Sequence, residues 1–217
     1  MPWVRLAALG AALLWSAGAP RAGDEILVRV SPAAAPCVAA VVREYPGPGR
    51  PRMETGPLKD PGPHVIVGSS VEVDRVMDSG GGLHDTDVDV ARIPWVLVVA
   101  PGQAAPERGL AGLSAAAADV AVLAGPEAYA ARRALRDLPD RRVREASDPA
   151  VLKSAPLALV PLSLAEGGQQ VATDVAPVRI RAAVATAGAG SPAARAFVAF
   201  LAGDTGRGAF AACGRTP

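Results

Sequence analysis

The chain has 217 residues, a formal net charge of +1 at pH 7 and aromatic residues at only 4% of its positions. The charges are scattered, so no basic stripe follows a phosphate backbone, and few aromatic side chains are present to stack on bases or sugars. These features argue against a nucleic-acid partner and favour a small, non-planar ligand.

The first 22 residues have the order of features found in an exported protein. Arg5 supplies a positive charge, residues 6–15 form an uncharged apolar core, and small residues follow. This core is too short to span a bilayer, which needs roughly 20 apolar residues. We predict a cleaved signal peptide over residues 1–22, a secreted form that begins near residues 19–24, and a periplasmic or other extracytoplasmic location without a membrane span. The alternative is a buried N-terminal helix of a cytosolic domain.

The rest of the chain alternates between short apolar runs typical of strands and amphipathic runs typical of helices. The strongest strand signal covers residues 93–100, and the Pro- and Gly-rich segment 46–63 leaves room for one short strand only. The predicted strands cover residues 25–30, 52–55, 64–67, 93–100, 119–123, 156–162 and 178–185, and the predicted helices cover residues 37–45, 71–77, 127–138, 193–201 and 203–213. Alternating strands and helices predict an α/β fold with a parallel or mixed sheet.

Few residues offer catalytic or metal-binding chemistry. His64 and His84 have no carboxylate or thiol partner at ligand spacing, so we predict neither a metal site nor a cofactor. Residues 68–72 lack the second glycine of a serine-hydrolase nucleophile elbow, so we expect a binding protein and keep an enzyme only as the alternative. Cys37 and Cys213 form an even pair in a chain predicted to enter an oxidising compartment.

The order of these elements and several local phrases resemble the periplasmic molybdate-type solute-binding proteins. The segments that carry the resemblance are the opening strand to Ser31, residues 65–70, residues 98–102, residues 125–135, and residues 191–203 with Gly206, Cys213 and Gly214. The resemblance implies a two-lobed type II periplasmic-binding-protein fold whose crossing strands, 93–100 and 178–185, act as a hinge. It also implies one lobe from residues 24–93 and 182–217 and a second lobe from residues 94–181.

In such a fold the turns from both lobes place helix N-termini and free backbone N–H groups around one cleft, which favours a bound anion. The candidate ligand-binding residues lie in these turns and are Ser31, Thr55, Ser69, Gly125, Pro126, Val160 and Ser163. For any single serine or threonine, helix capping or turn formation is the alternative role. Pro32 removes one donor N–H from the first turn, and the segment after Thr55 is too short and too rich in proline for the helix that the family places there.

The resemblance implies an exported, monomeric receptor that binds a small oxyanion such as molybdate and delivers it to the permease of an ABC transporter. The alternative is an exported domain of the same fold that serves sensing or protein interaction without transport. The fold would also place the first and the terminal helix in one lobe, so we expect a disulfide between Cys37 and Cys213. Two separate buried thiols are the alternative.

Overall fold

The computed structural model describes residues 25–58, 62–115 and 118–213. In chain order its strands and α-helices are β1 (Glu25–Val30), α1 (Ala35–Glu44), β2 (Arg50–Thr55), β3 (Val65–Ser69), α2 (Ser70–Asp78), β4 (Val88–Ile93), β5 (Trp95–Val99), β6 (Val120–Leu123), α3 (Ala128–Ala134), β7 (Val143–Ala146), α4 (Pro149–Ser154), β8 (Leu157–Pro161), β9 (Gln169–Ala172), β10 (Val178–Val184), α5 (Pro192–Ala202) and α6 (Asp204–Cys213). The predicted signal peptide lies outside the described residues.

The strands form two five-stranded sheets with the same internal layout. The first sheet has the order β2-β1-β3-β10-β4 and the second has the order β7-β6-β8-β5-β9. In the first sheet β1 runs parallel to β2 and β3, and β10 is antiparallel to β3 and β4. In the second sheet β6 runs parallel to β7 and β8, and β5 is antiparallel to β8 and β9. The predicted α/β class is confirmed, with mixed sheets.

Continuous apolar runs explain the inner strands, because a strand that is covered on both faces needs apolar side chains at every position. All the residues of β3, β6 and β8 are buried. The largest fully buried side chains include Trp95 on β5 and Phe197 on α5. Tyr45, just after α1, packs edge-on against Phe197 and Phe200, with ring centroids 5.0 and 5.2 Å away. These contacts pack the end of α1 against α5.

Two short segments connect the sheets. The chain leaves the first sheet at Ile93 and enters the second at Trp95, so Pro94 marks the outgoing crossing. The return crossing is the segment 173–177, between β9 and β10. Thr173 Oγ1 donates a hydrogen bond of 2.8 Å to the carbonyl oxygen of Trp95, which ties the two crossings together. We propose that each sheet with its helices forms one lobe; the residue limits of the lobes stay predictions.

Most predicted strands and helices are confirmed within a few residues, and three differences have local causes. The strand predicted over residues 93–100 is split at Pro94, which has no N–H to donate to a sheet. The return crossing precedes β10, whereas the predicted strand over residues 178–185 was itself expected to cross. The helix predicted over residues 127–138 ends at Ala134, where three backbone carbonyls converge on the N–H of Leu135.

The first and the last described helix are covalently linked. Cys37 on α1 and Cys213 at the end of α6 form a disulfide, with their Cα atoms 5.3 Å apart and a sequence separation of 176. Both helices pack together against the first sheet, and Cys37 is fully buried. The bridge therefore closes almost the whole described chain into one loop.

His64, one of the two histidines considered as a metal ligand, takes part in a hydrogen bond to the backbone. His64 Nδ1 accepts a hydrogen bond of 3.1 Å from the backbone N–H of Leu27. Across residues 25–58, 62–115 and 118–213, no group of three or more His, Cys, Asp or Glu side chains is placed to hold a metal ion. No helix in the same part of the chain combines the length and the apolar character needed to cross a bilayer.

Candidate functional site

A cleft of about 630 Å³ lies between the two sheets. Its wall from the first lobe consists of Pro32, Ala35, Pro36, Thr55, Gly56, Pro57 and Glu72, and its wall from the second lobe consists of Ala124, Gly125, Pro126, Glu127, Ser147, Lys153, Leu164 and Glu166. Most of these residues follow the carboxyl ends of the three parallel strands in each sheet. Ligands of open α/β sheets bind in crevices at this edge.

Three of the seven predicted ligand-binding residues line the cleft. Thr55 ends β2, and Gly125 and Pro126 form the turn after β6. The sequence pattern found these positions because each follows an apolar strand with turn residues. Their contact with a ligand stays a prediction.

The other four predicted residues lie outside the cleft wall. Ser31 is fully buried, and Ser69 caps α2 by accepting the N–H of Glu72. Val160 is buried within β8, and the hydroxyl of Ser163 donates a hydrogen bond of 2.6 Å to the carbonyl of Ala33. This last bond joins the segment after β1 to the segment after β8. Structural contacts therefore engage Ser69, Val160 and Ser163.

Glu72 is the first acidic group of the cleft, and a capping box holds it in place. Its N–H donates to Ser69 Oγ at 3.3 Å, while the Ser69 hydroxyl donates to Glu72 Oε2 at 3.1 Å. Burial raises the pKa of Glu72, and the hydrogen bonds from Ser69 oppose that rise. The hydroxyl of Ser31 is near enough to favour the charged form of Glu72, although it meets no hydrogen-bond geometry. Glu72 was not predicted, although the Ser-x-x-Glu spacing of residues 69–72 is a sequence signal for this arrangement.

Glu127 is the second acidic group, and it has no partner for one oxygen. The residue is 7% exposed, and its buried Oε2 makes no hydrogen bond within the described structure. Burial, followed by the negative charge of Glu72 across the cleft, raises the pKa of Glu127 to about 7. A carboxyl group whose pKa lies near physiological pH is uncommon outside functional sites.

Gly125 makes room for this carboxyl group. Its φ is +137°, and a Cβ atom at this position would lie 3.0 Å from Glu127 Oε2 and 3.2 Å from Glu127 Cδ. The side chain of Glu127 therefore folds back over Gly125. A residue with a Cβ atom would be strained at this φ and would crowd the carboxyl group.

The cleft is poor in hydrogen-bond donors. Four of its wall residues are prolines, namely Pro32, Pro36, Pro57 and Pro126, which have no backbone N–H. The N–H groups of Gly56 and Ala124 are already bonded to backbone carbonyls at 2.9 Å. The ammonium group of Lys153 pairs with Glu166 at 2.6 Å, so the positive charge in the wall is balanced locally. The remaining side-chain donors in the wall are the hydroxyls of Thr55 and Ser147.

A larger cavity of about 890 Å³ lies elsewhere, on the second lobe and the return crossing. Its wall includes the exposed side chains of Tyr129 and Arg133 and residues 172–176. It has no wall from the first lobe's strand ends, so closing one lobe on the other would not enclose it. The cleft between the lobes is therefore the stronger candidate site.

The sequence matches the family model for the bacterial extracellular solute-binding protein over residues 28–216. The chain belongs to this family. The resemblance drawn from the sequence is confirmed at the level of the family and the fold. No curated protein was found to match the sequence.

Solved structures of other proteins have the same fold. The periplasmic molybdate-binding protein of Azotobacter vinelandii gives a TM-score of 0.71 at 16% identity, over 88% of this chain and 99% of that chain. The sulfate-binding protein SubI from Mycobacterium tuberculosis gives 0.67 at 16% identity, over 88% of this chain and 86% of that chain. L-phospholactate-bound PEB3, a protein known from Campylobacter jejuni, gives 0.66 at 14% identity, over 87% of this chain and 98% of that chain. This solute-binding protein therefore has the two-lobed type II periplasmic binding fold.

Proposed function

We propose that this solute-binding protein is a periplasmic receptor, monomeric and freed from its signal peptide, that captures one small oxyanion and delivers it to the permease of an ABC transporter. The observation that carries the proposal is the cleft itself, because residues from both lobes line it at the carboxyl ends of parallel strands. A solute that contacts both walls favours the closed arrangement of the lobes and is released when they open.

The oxyanion class is supported by the names of solved structures that have the same fold and by the hydroxyl groups in the cleft wall. The names of three proteins with this fold refer to molybdate, sulfate and phospholactate. In this chain, the hydroxyls of Thr55 and Ser147 lie on opposite walls of the cleft and are side-chain donors for a ligand there. A neutral Glu127 side chain adds a third donor below its pKa of about 7.

The donor-poor wall also favours a second candidate function. Prolines in the wall supply no N–H groups to bind an anion. A domain of this fold without anion binding would serve sensing or protein interaction without transport. The two candidates differ in one measurable property, which is the binding of a small anion.

A thermal-shift screen of molybdate, tungstate, sulfate, phosphate and small organic acids tests the receptor function. We expect at least one of these anions to raise the melting temperature, because a ligand at 100 times its dissociation constant stabilises the folded state by about 2.7 kcal/mol. Thr55→Ala should reduce the shift, since it removes one wall hydroxyl. Thr186→Ala is the matched control, because Thr186 is exposed and bonded to the carbonyl of Gly80 outside the cleft. A screen in which no anion moves the melting temperature contradicts the receptor function and favours the sensing function.

A further inference from the structure

The larger cavity, of about 890 Å³, lies beside the return crossing and outside the cleft. We propose that this cavity is a second binding site, for an organic monocarboxylate whose apolar body covers the cavity wall and whose carboxylate pairs with arginine. The site goes beyond the proposed oxyanion receptor, because the described walls of the larger cavity and of the cleft share no residue.

The size of the larger cavity favours an organic ligand. Its described wall is built by residues from three separate segments, 108–114, 129–138 and 172–176. Its volume falls within the range of about 300–1,000 Å³ that is usual for pockets that hold organic ligands. An inorganic oxyanion has no apolar part and would leave most of this space unfilled, so the cleft and the larger cavity are suited to different ligands.

The wall of the larger cavity offers apolar surface to such a ligand. Leu135, Leu138 and Val175 belong to the wall and are otherwise buried in the core. Tyr129 is the opposite case, since it is 73% exposed, more than any other large hydrophobic residue in the described ranges. Covering this ring and the apolar wall with a ligand removes apolar surface from water and therefore stabilises the complex.

The charges in the described wall favour one negative charge on the ligand. They belong to Arg108, Arg133, Arg136, Asp137 and Asp174, which leaves one positive charge in excess. Arg136 Nε lies 4.0 Å from Asp137 Oδ1, whereas Arg108 and Arg133 make no hydrogen bond or ion pair with another residue of the described structure. A guanidinium group binds a carboxylate through two parallel N–H···O bonds, so these arginines are suited to a carboxylate ligand.

Tyr129 and Arg133 fix the expected layout of the ligand. They lie four residues apart on α3, which places them on the same face of the helix, and both line the larger cavity. A ligand that joins an aromatic ring to one carboxylate through a short aliphatic chain can therefore contact the ring of Tyr129 and the guanidinium of Arg133 together.

Titration of the secreted chain with sodium 4-phenylbutanoate at neutral pH, followed by NMR of the ligand's ring protons, tests the inference. This probe has the ring, the short chain and the single carboxylate, and the uncharged 4-phenylbutanamide is its matched control. We expect saturable binding of 4-phenylbutanoate with a dissociation constant of about 1 mM or lower. The amide should bind at least about tenfold more weakly, because it cannot form the charge-assisted pair with arginine.

Variants on α3 locate the bound probe. Arg133→Gln should weaken the binding of 4-phenylbutanoate about tenfold and leave the binding of the amide little changed. Tyr129→Ser should weaken both ligands alike, since both present the same ring. Arg132→Gln is the matched control, because it makes the same change of charge on the same helix while Arg132 pairs with Glu145 outside the cavity wall, and it should keep the affinities of the wild type.

The outcomes decide this inference separately from the proposed function. The absence of saturable 4-phenylbutanoate binding by the wild type, or equal affinity for the acid and the amide, overturns the monocarboxylate site. Wild-type affinity for 4-phenylbutanoate in Arg133→Gln places the probe outside the larger cavity and also overturns the site. The oxyanion receptor is tested by inorganic anions and by Thr55→Ala in the cleft, so either proposal fails without the other. Melting curves that match the wild type show that a lost affinity in a variant does not come from unfolding.

Discussion

Replacing Cys37 and Cys213 together by alanine is expected to lower the free energy of unfolding by up to about 5 kcal/mol. The disulfide closes a loop with a sequence separation of 176, and such a bridge removes much conformational entropy from the unfolded chain. It also ties α1 to α6, so its loss should loosen the last helix first.

Guanidinium unfolding of the wild type and the double variant measures this difference. Each single alanine variant serves as a control, because losing either cysteine removes the bridge and should cost nearly as much as losing both. A double variant within about 1 kcal/mol of the wild type would contradict the stabilising role. Titration that found two free thiols in the denatured, unreduced protein would contradict the bridge itself.

The second large effect is expected in the pH dependence of stability. The pKa of Glu127 is about 7 in the folded protein and 4.5 in its ordinary state, so the folded chain holds more protons than the unfolded chain between these values. The stability that this group contributes is fully present below pH 4.5 and is lost as the pH rises to about 7. Glu127→Gln abolishes this loss, and its free energy of unfolding relative to the wild type should rise by on the order of 3 kcal/mol across that window.

Urea unfolding of both proteins at several pH values between 4.5 and 8 provides the measurement. Glu145→Gln, an exposed glutamate of the same lobe, should show a pH profile close to that of the wild type. Parallel profiles for Glu127→Gln and the wild type would mean that Glu127 is ionised and solvated in the folded protein. That result would contradict the burial of the Glu127 carboxyl group in the cleft wall.

The strands and helices with a dense apolar pattern could be predicted from the sequence alone. The runs that became β1, β3 and β8 could be read as strands because the sheets bury nearly every second residue or every residue along them. β9 (Gln169–Ala172) escaped prediction, since it is short and half exposed and is a strand only because β5 pairs with it. Its formation depends on a tertiary partner that no local pattern encodes.

The candidate site divides in a similar way. Thr55, Gly125 and Pro126 were predicted because turns at strand ends have recognisable residues. Glu127 was not, since a glutamate that precedes a helix normally lies on the surface. Its burial depends on the space above Gly125, and its raised pKa depends on Glu72, which belongs to the other lobe. These conditions arise only when both lobes are folded and facing each other.

The central claim, that one solute binds between the lobes, is tested most directly by blocking the cleft from one side. Ser147 is an exposed residue of the cleft wall just before α4, and Ser154 is an exposed residue at the end of the same helix outside the wall. We expect titration with sodium phosphate to show binding with a stoichiometry near one for the wild type and for Ser154→Trp, and no measurable binding for Ser147→Trp. Phosphate binding to Ser147→Trp with the affinity of the wild type would contradict the account, because the solute would then occupy a site other than the cleft.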